Sequence, residues 1–191
     1  YMEIGASKII YLDKEKFRDY VMEVDLNGIR VKSLKPEAEL TALIAHSIYP
    51  EMIYTGHLYY STLYYISVMG DDQIRRFIDF VRRNNIESAI SSSLTITAAL
   101  HERVFGFIPV KIENLLTEFG ISKIELKNLE RNSFKIPLHY KLSTVLRMLL
   151  EKIKEKKTRD SIFKQFLYIL NPKKALYVTR IVIERRLRET Y

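Results

Sequence analysis

Apolar residues recur along most of this chain at the three- and four-residue intervals that place them on one face of an α-helix. From Pro36, the residues Leu40, Leu43, Ile44 and Ile48 form one such stripe. A proline in the first turn opens it, with Glu37 and Glu39 at the positive end of the helix dipole. A tyrosine-rich helical segment follows Pro50. Gly70-Asp71-Asp72 opens another helix, with Ile74, Phe77, Ile78 and Val81 inside and Arg75, Arg76, Arg82 and Arg83 largely outside. Residues 86–104 carry mixed signals. Ser91 to Thr97 has β-type side chains, yet Ala98 to Arg103 reads as helix, and a helix with a small-residue face fits better. Beyond Pro109, a helix is predicted from about Val110 to Phe119, ending at Gly120, and Ser122 with Glu125 has the spacing of a capping box for the next. Stripes at Leu142, Val145, Leu146, Leu149 and Ile153, and at Ile162, Phe163, Phe166, Leu167 and Leu170, predict two more. Asn171-Pro172 then caps and starts a last helix.

The first 34 residues read differently. Ile9 to Leu12 is short and apolar, Lys14 to Tyr20 suits one or two helical turns, and Val21 to Ser33 alternates about Asn27-Gly28, whose residues tolerate the positive φ of a tight hairpin turn. The expected fold is therefore mainly α (α+β). A small amino-terminal β-hairpin element in residues 1–35 precedes a multi-helix bundle over residues 36–191, and the bundle contains a candidate helix-turn-helix.

Composition narrows the chemistry. With 47% hydrophobic and 28% charged residues among 191, the chain is ordinary globular material, and it needs no metal or disulfide staple to bury a core. It has no cysteine, which removes disulfide frameworks, thiolate nucleophiles and cysteine-ligated zinc. The longest uncharged stretch, Met52 to Gly70, holds Gly56, His57 and five tyrosines, and reads as a buried helix rather than a membrane span. No secretory leader pattern opens the chain, so a cytoplasmic protein without membrane insertion is expected. The net charge of +8 is unevenly placed: residues 121–191 hold 18 Lys/Arg against 7 Asp/Glu, whereas residues 1–120 are net acidic. A basic half suits an anionic partner, either nucleic acid or nucleotide phosphates, unless its lysines merely solvate helix faces.

Phosphate-binding loops of the G-x-x-x-x-G-K-[ST] type, H-E-x-x-H and G-x-S-x-G are all absent. The four histidines (His46, His57, His101, His139) stand on different elements and read as surface or core residues. Three constellations remain. Glu23 and Asp25, two apart on a strand, share one face and suit the hard-oxygen needs of Mg²⁺ in phosphoryl transfer, although alternating acids also occur on solvated strands. Residues Ile112 to Arg131 match a helix-turn-helix about Gly120, with Lys123, Lys127, Asn128 and Arg131 exposed on the second helix for phosphates and base edges. Against that reading, and in favour of an ordinary helical hairpin, stand bulky Leu116 and the acids Glu113, Glu118 and Glu125. The last constellation is the basic run including Lys156, Lys157 and Arg159, continued in the tail by residues such as Arg185. The tyrosines at 54, 59, 60, 64 and 65 suit either base stacking or a core stripe.

The segment Ile29-Arg30-Val31-Lys32-Ser33-Leu34-Lys35-Pro36-Glu37-Ala38-Glu39-Leu40, with Ala45-His46-Ser47 in the helix it enters, resembles the region after the catalytic strands in nucleotidyltransferase-fold proteins of the minimal and abortive-infection type. The stretch from Ile136-Pro137-Leu138-His139-Tyr140 to Glu189-Thr190-Tyr191 resembles the tail of archaeal members. That resemblance implies nucleotide transfer from a triphosphate, using Mg²⁺ held by strand acids behind a Gly-Ser turn. Carried over, Gly5-Ala6-Ser7 is the turn with Ser7 near the phosphates, and Glu23 and Asp25 are the catalytic, metal-holding acids. The chain departs from the pattern in the long segment between turn and acids, and in lacking a third acidic strand between Asp25 and Lys35. A catalytic core lying upstream, or one that has degenerated, accounts for these departures better than an intact site at these residues. Three functions follow as expectations: a nucleotidyltransferase-like protein, active or not, a non-enzymatic DNA-binding regulator, and an antitoxin-like helical module that docks on another protein.

Overall fold

The computed structural model describes residues 9–170, of which 12–152 form one compact unit and 9–11 with 153–170 belong to a second. The larger unit begins with a 3-10 turn, Lys14–Tyr20, and a hairpin of β1 (Val21–Leu26) and β2 (Ile29–Leu34). Helices α1 (Pro36–Ile48), α2 (Gly56–Val68), α3 (Asp71–Arg83), α4 (Glu87–Phe105), α5 (Val110–Phe119), α6 (Lys123–Arg131) and α7 (Leu142–Lys152) follow. A two-residue strand pair, β3 (Ile53–Tyr54) with β4 (Leu138–His139), fastens the α1–α2 connection to the segment after α6. The fold is thus mainly helical with a small hairpin at the amino-terminal side.

The hairpin forms as its sequence dictates. Asn27 and Gly28 take φ of 55° and 86°, the left-handed pair that a two-residue turn needs, and Asp25 Oδ1 accepts from Gly28 N at 2.7 Å. Its base is held by a small aromatic cluster in which Tyr20 packs on Phe80 and Ala38, with Phe17 and Leu34 beside them. The Tyr20 hydroxyl accepts from Arg83 at 3.1 Å.

Helix α4 is the centre of the bundle. Every residue from Ser88 to Ala98 is buried, and α1, α2, α3, α5, α6 and α7 all pack against it. The Ser/Thr run that looked strand-like suits this position because short side chains let six neighbours approach. Most of their hydroxyls are satisfied locally or by those neighbours, whereas the buried Ser93 Oγ has no hydrogen-bond partner among the described residues. Thr95 and Thr97 donate to the carbonyls of Ser91 and Ser93, one turn back. Ser91 Oγ donates to Gly120 O, and Thr95 Oγ1 accepts from Ser122 N at 2.9 Å. At the amino end, Glu151 of α7 accepts from both N and Oγ of Ser88, filling one of the orphan positions at a helix start.

Several expectations need correction. Ser122 is the N-cap of α6 but makes no side-chain cap bond, and Glu125 does not reach back to it. Glu125 is instead fully buried, accepting from Thr144 Oγ1 and from Asn128 Nδ2, because α7 brings a competing donor that sequence spacing alone does not reveal. On α7 the inward face is Thr144, Val145, Met148 and Lys152, whereas Leu142 and Leu146 are exposed. Lys152 Nζ donates to Asn84 O at 2.8 Å. In the smaller unit, α8 (Lys156–Ile169) forms where the stripe predicted it, but Phe163, Phe166 and Leu167 are exposed while Ser161 and Gln165 are buried. The helix expected from Asn171-Pro172 lies outside the described residues.

Two measurements check the buried polar core. Thr144→Val removes a donor from a buried carboxylate and should cost about 2–3 kcal/mol in urea unfolding; a cost under about 0.5 kcal/mol would mean that Glu125 finds another partner. Burial raises the pKa of Tyr54 and Tyr140 above the ordinary tyrosine value. Both therefore stay neutral in the folded chain at a pH where the unfolded chain ionises, near 10. Their contribution is complete below that pH and is lost above it, at up to about 1.4 kcal/mol per pH unit for each. Ultraviolet titration of phenolate should show these two tyrosines ionising only as the fold is lost.

Candidate nucleic-acid interface

The basic residues of the larger unit divide into those that the fold consumes and those that it leaves alone. On α3, Arg75 pairs with Asp72, Arg76 with buried Glu37, and Arg82 with both Glu87 and Glu118. Arg83 is bonded to Tyr20 and to Asp79 O. Lys111 caps the end of α2 through the carbonyls of Ser67 and Met69. Arg76, Arg82 and Lys111 thereby join helices and Arg83 ties α3 to the 3-10 turn, while the Arg75 pair lies within α3.

Those of α6 do not. Lys123, Lys127 and Arg131 are exposed, and none has an ion-pair partner among the described residues. Their four-residue spacing sets them about 6 Å apart along the axis and within about 80° of arc, so they form one row. Lys135, just past the helix, is also exposed and has no ion-pair partner among the described residues. The local sequence explains the row's orientation. Leu129, Glu125 and Asn128 are buried on the opposite side, and the Gly120–Ser122 turn is pinned to α4 by the bonds from Ser91 and Thr95. Gly120 takes φ of 82°, which a side chain would strain. Both α5 and α6 lean on α4 rather than chiefly on one another, and Leu116 is accommodated as a buried residue.

Asn128 was expected on the outer face and is not there. It is 6% exposed, and its amide donates to Glu125 Oε2 and to His139 O, holding the end of α6 to β4. The acids expected to repel phosphate are also redistributed. Glu125 is buried, Glu118 is neutralised by Arg82, and Glu113 remains exposed. Lys156, Lys157 and Arg159 are exposed on α8 in the other unit, while Ser7 and Arg185 lie outside the described residues.

Glu23 and Asp25 do share the exposed face of β1. Across the ribbon their register partners are Lys32 and Arg30, and Asp25 is engaged by the turn. The sheet has two strands, and no group of three or more His, Asp or Glu that could hold a metal ion gathers among the described residues. Among those residues, too, no helix is long and apolar enough to cross a membrane. Of the tyrosines, Tyr54 and Tyr59 are buried, bonded to Thr97 and His101, while Tyr60 and Tyr64 are exposed.

The reading of the sequence missed Lys135 and, near it, Arg103, Glu102 and Phe134, which line a small cleft between α4 and α6. The repeat 123-127-131-135 was visible as a signal; the approach of α4 was not. No protein family, curated protein or solved structure matches the chain.

Lys123 occupies the first turn of α6, where a positive charge opposes the helix dipole. Lys123→Glu should therefore raise stability by about 0.5 kcal/mol in denaturant titration; a loss of stability would assign Lys123 a structural role.

Proposed function

We propose that the protein binds nucleic acid through the cation row of α6, without catalysis by the larger unit. One observation carries this reading: three successive outward cations on a single helix face have no ion-pair partner among the described residues, on a fold that pairs or caps with the arginines of α3 and with Lys111. Unpaired like charges in a row repel one another, so a polyanion gains by neutralising them. It also releases its own condensed counterions, which is the main driving force for such binding at low salt. The opposed position of Lys123 points the same way, because a residue that costs helix stability suits a role outside the fold. Geometry gives less support to nucleotide transfer, since Glu23 and Asp25 face cations across a two-stranded ribbon.

A second reading rests on a separate surface. Tyr60, Tyr64, Phe105, Phe107 and Val110 are exposed around an apolar cleft of about 620 Å³ that His101 also lines. Such a face suits a helical partner protein.

The test is binding of labelled duplex and single-stranded DNA between about 50 and about 200 mM salt, for wild type and for Lys123→Ala/Lys127→Ala/Arg131→Ala. The wild type should weaken steeply with salt. The variant should lower the slope of log K against log salt by roughly 2–3, the share of three phosphate contacts. An unchanged slope would remove the α6 row from the interface, and no binding at low salt would leave the aromatic face as the reading to pursue.

A further inference from the structure

The cation row ends beside a feature that phosphate binding does not require. After α6 the backbone passes through Ser133 and Phe134, both left-handed at φ of 53° and 57°. A bulky residue rarely adopts that conformation, because its Cβ crowds the following carbonyl. It is held here by Phe134 N donating to Leu129 O at 3.0 Å. The strained turn presents a half-buried ring, with the Arg103 guanidinium 5.6 Å from its centre. Phe134, Arg103, Glu102, Ala99 and Leu126 line a cleft of about 380 Å³. Neither Arg103 nor Glu102 has an ion-pair partner among the described residues.

This lining has a particular chemistry. An aromatic ring with a guanidinium beside it offers a stacking surface for a flat heterocycle. A carboxylate at the rim accepts from an exocyclic amino group. The volume is at the small end of ligand clefts, large enough for one base and far too small for a base pair with its backbone. Arg131 and Lys135 stand on either side of Phe134 in the chain, both exposed, so phosphates flanking a base in the cleft would meet cations.

We infer that this cleft takes one unpaired, amino-bearing nucleobase stacked on Phe134, from a strand whose phosphates run along the α6 cations. The ligand class is then single-stranded nucleic acid rather than duplex, since a paired base cannot leave its stack without a cost. The inference rests on the cation-row reading and adds to it the selection of unpaired bases.

The experiment compares a short cytidine DNA strand with a strand of equal length made of abasic sites, which keeps the phosphates and removes the bases. Wild type should bind the cytidine strand roughly tenfold more tightly than the abasic one. Phe134→Ala should bind both with the abasic affinity. The chain has no tryptophan, so Phe134→Trp gives a single reporter. It should keep the preference, and its fluorescence should be quenched by the cytidine strand and not by the abasic one. Equal affinity of wild type for both strands overturns the cleft's role while leaving the cation row standing; failure to bind either strand overturns both. Should Phe134→Ala not fold, unquenched Phe134→Trp in the presence of bound cytidine strand overturns the inference by itself.

Discussion

A helix buried on every side hides polar groups at a cost that rises with each one left unpaired, and α4 meets that constraint with short hydroxyl side chains, all but Ser93 Oγ bonded among the described residues. Leucines along the same helix would hold the surrounding helices further away and could not bond to them. Serines and threonines let the neighbours close in, and most of the buried hydroxyls then find a partner, since leaving one unmet costs about 1–3 kcal/mol. The partners lie on separate elements: Glu151 on α7 for Ser88, Gly120 for Ser91, Ser122 for Thr95 and Tyr54 for Thr97. One helix thereby fixes the entry to α2, the α5–α6 turn and the carboxy-terminal end of α7.

The candidate interface follows from that arrangement. Because α4 pins the turn at both Gly120 and Ser122, α6 can present only one side outward. Glu125, Asn128 and Leu129 are spent on packing and on the Thr144 and His139 contacts, and the residues left exposed are the cations Lys123, Lys127 and Arg131 with one acid, Glu130. Burying an acid inward has an electrostatic consequence outward. With Glu125 hidden and Glu118 paired to Arg82, the row of Lys123, Lys127 and Arg131 meets less opposing charge than the sequence suggests.

Charge count alone therefore misleads about this protein. The arginines of α3 contribute to a basic composition yet serve as ion-pair and hydrogen-bond partners within the fold. Their energetic role is local: Arg76 satisfies one oxygen of the fully buried Glu37, a far more consequential contact than a surface pair such as Arg75 with Asp72. What separates a structural cation from one open to a ligand is whether an acid or carbonyl stands within reach, and that is a property of the packed chain.

Local physics made part of this legible in the amino-acid order. The Asn27-Gly28 turn, the proline opening of α1, the span of α5 to Gly120 and the helical outcome for residues 87–105 all depend on backbone preference and periodicity within a few residues. The repeat of cations through α6 was equally plain. Tertiary contacts decided the rest. Ser122 and Glu125 had the spacing of a capping box, but Thr144, nineteen residues on, took the carboxylate into the core. Asn128 looked like a surface amide until β4 offered it a carbonyl. The inward face of α7 ran through Thr144 and Lys152 because buried acceptors on other elements outweighed the apolar stripe. Sequence alone determined which segments coil and where they stop; which polar side chains turn inward was decided by partners distant in the chain, since a buried hydrogen bond depends on both of its ends.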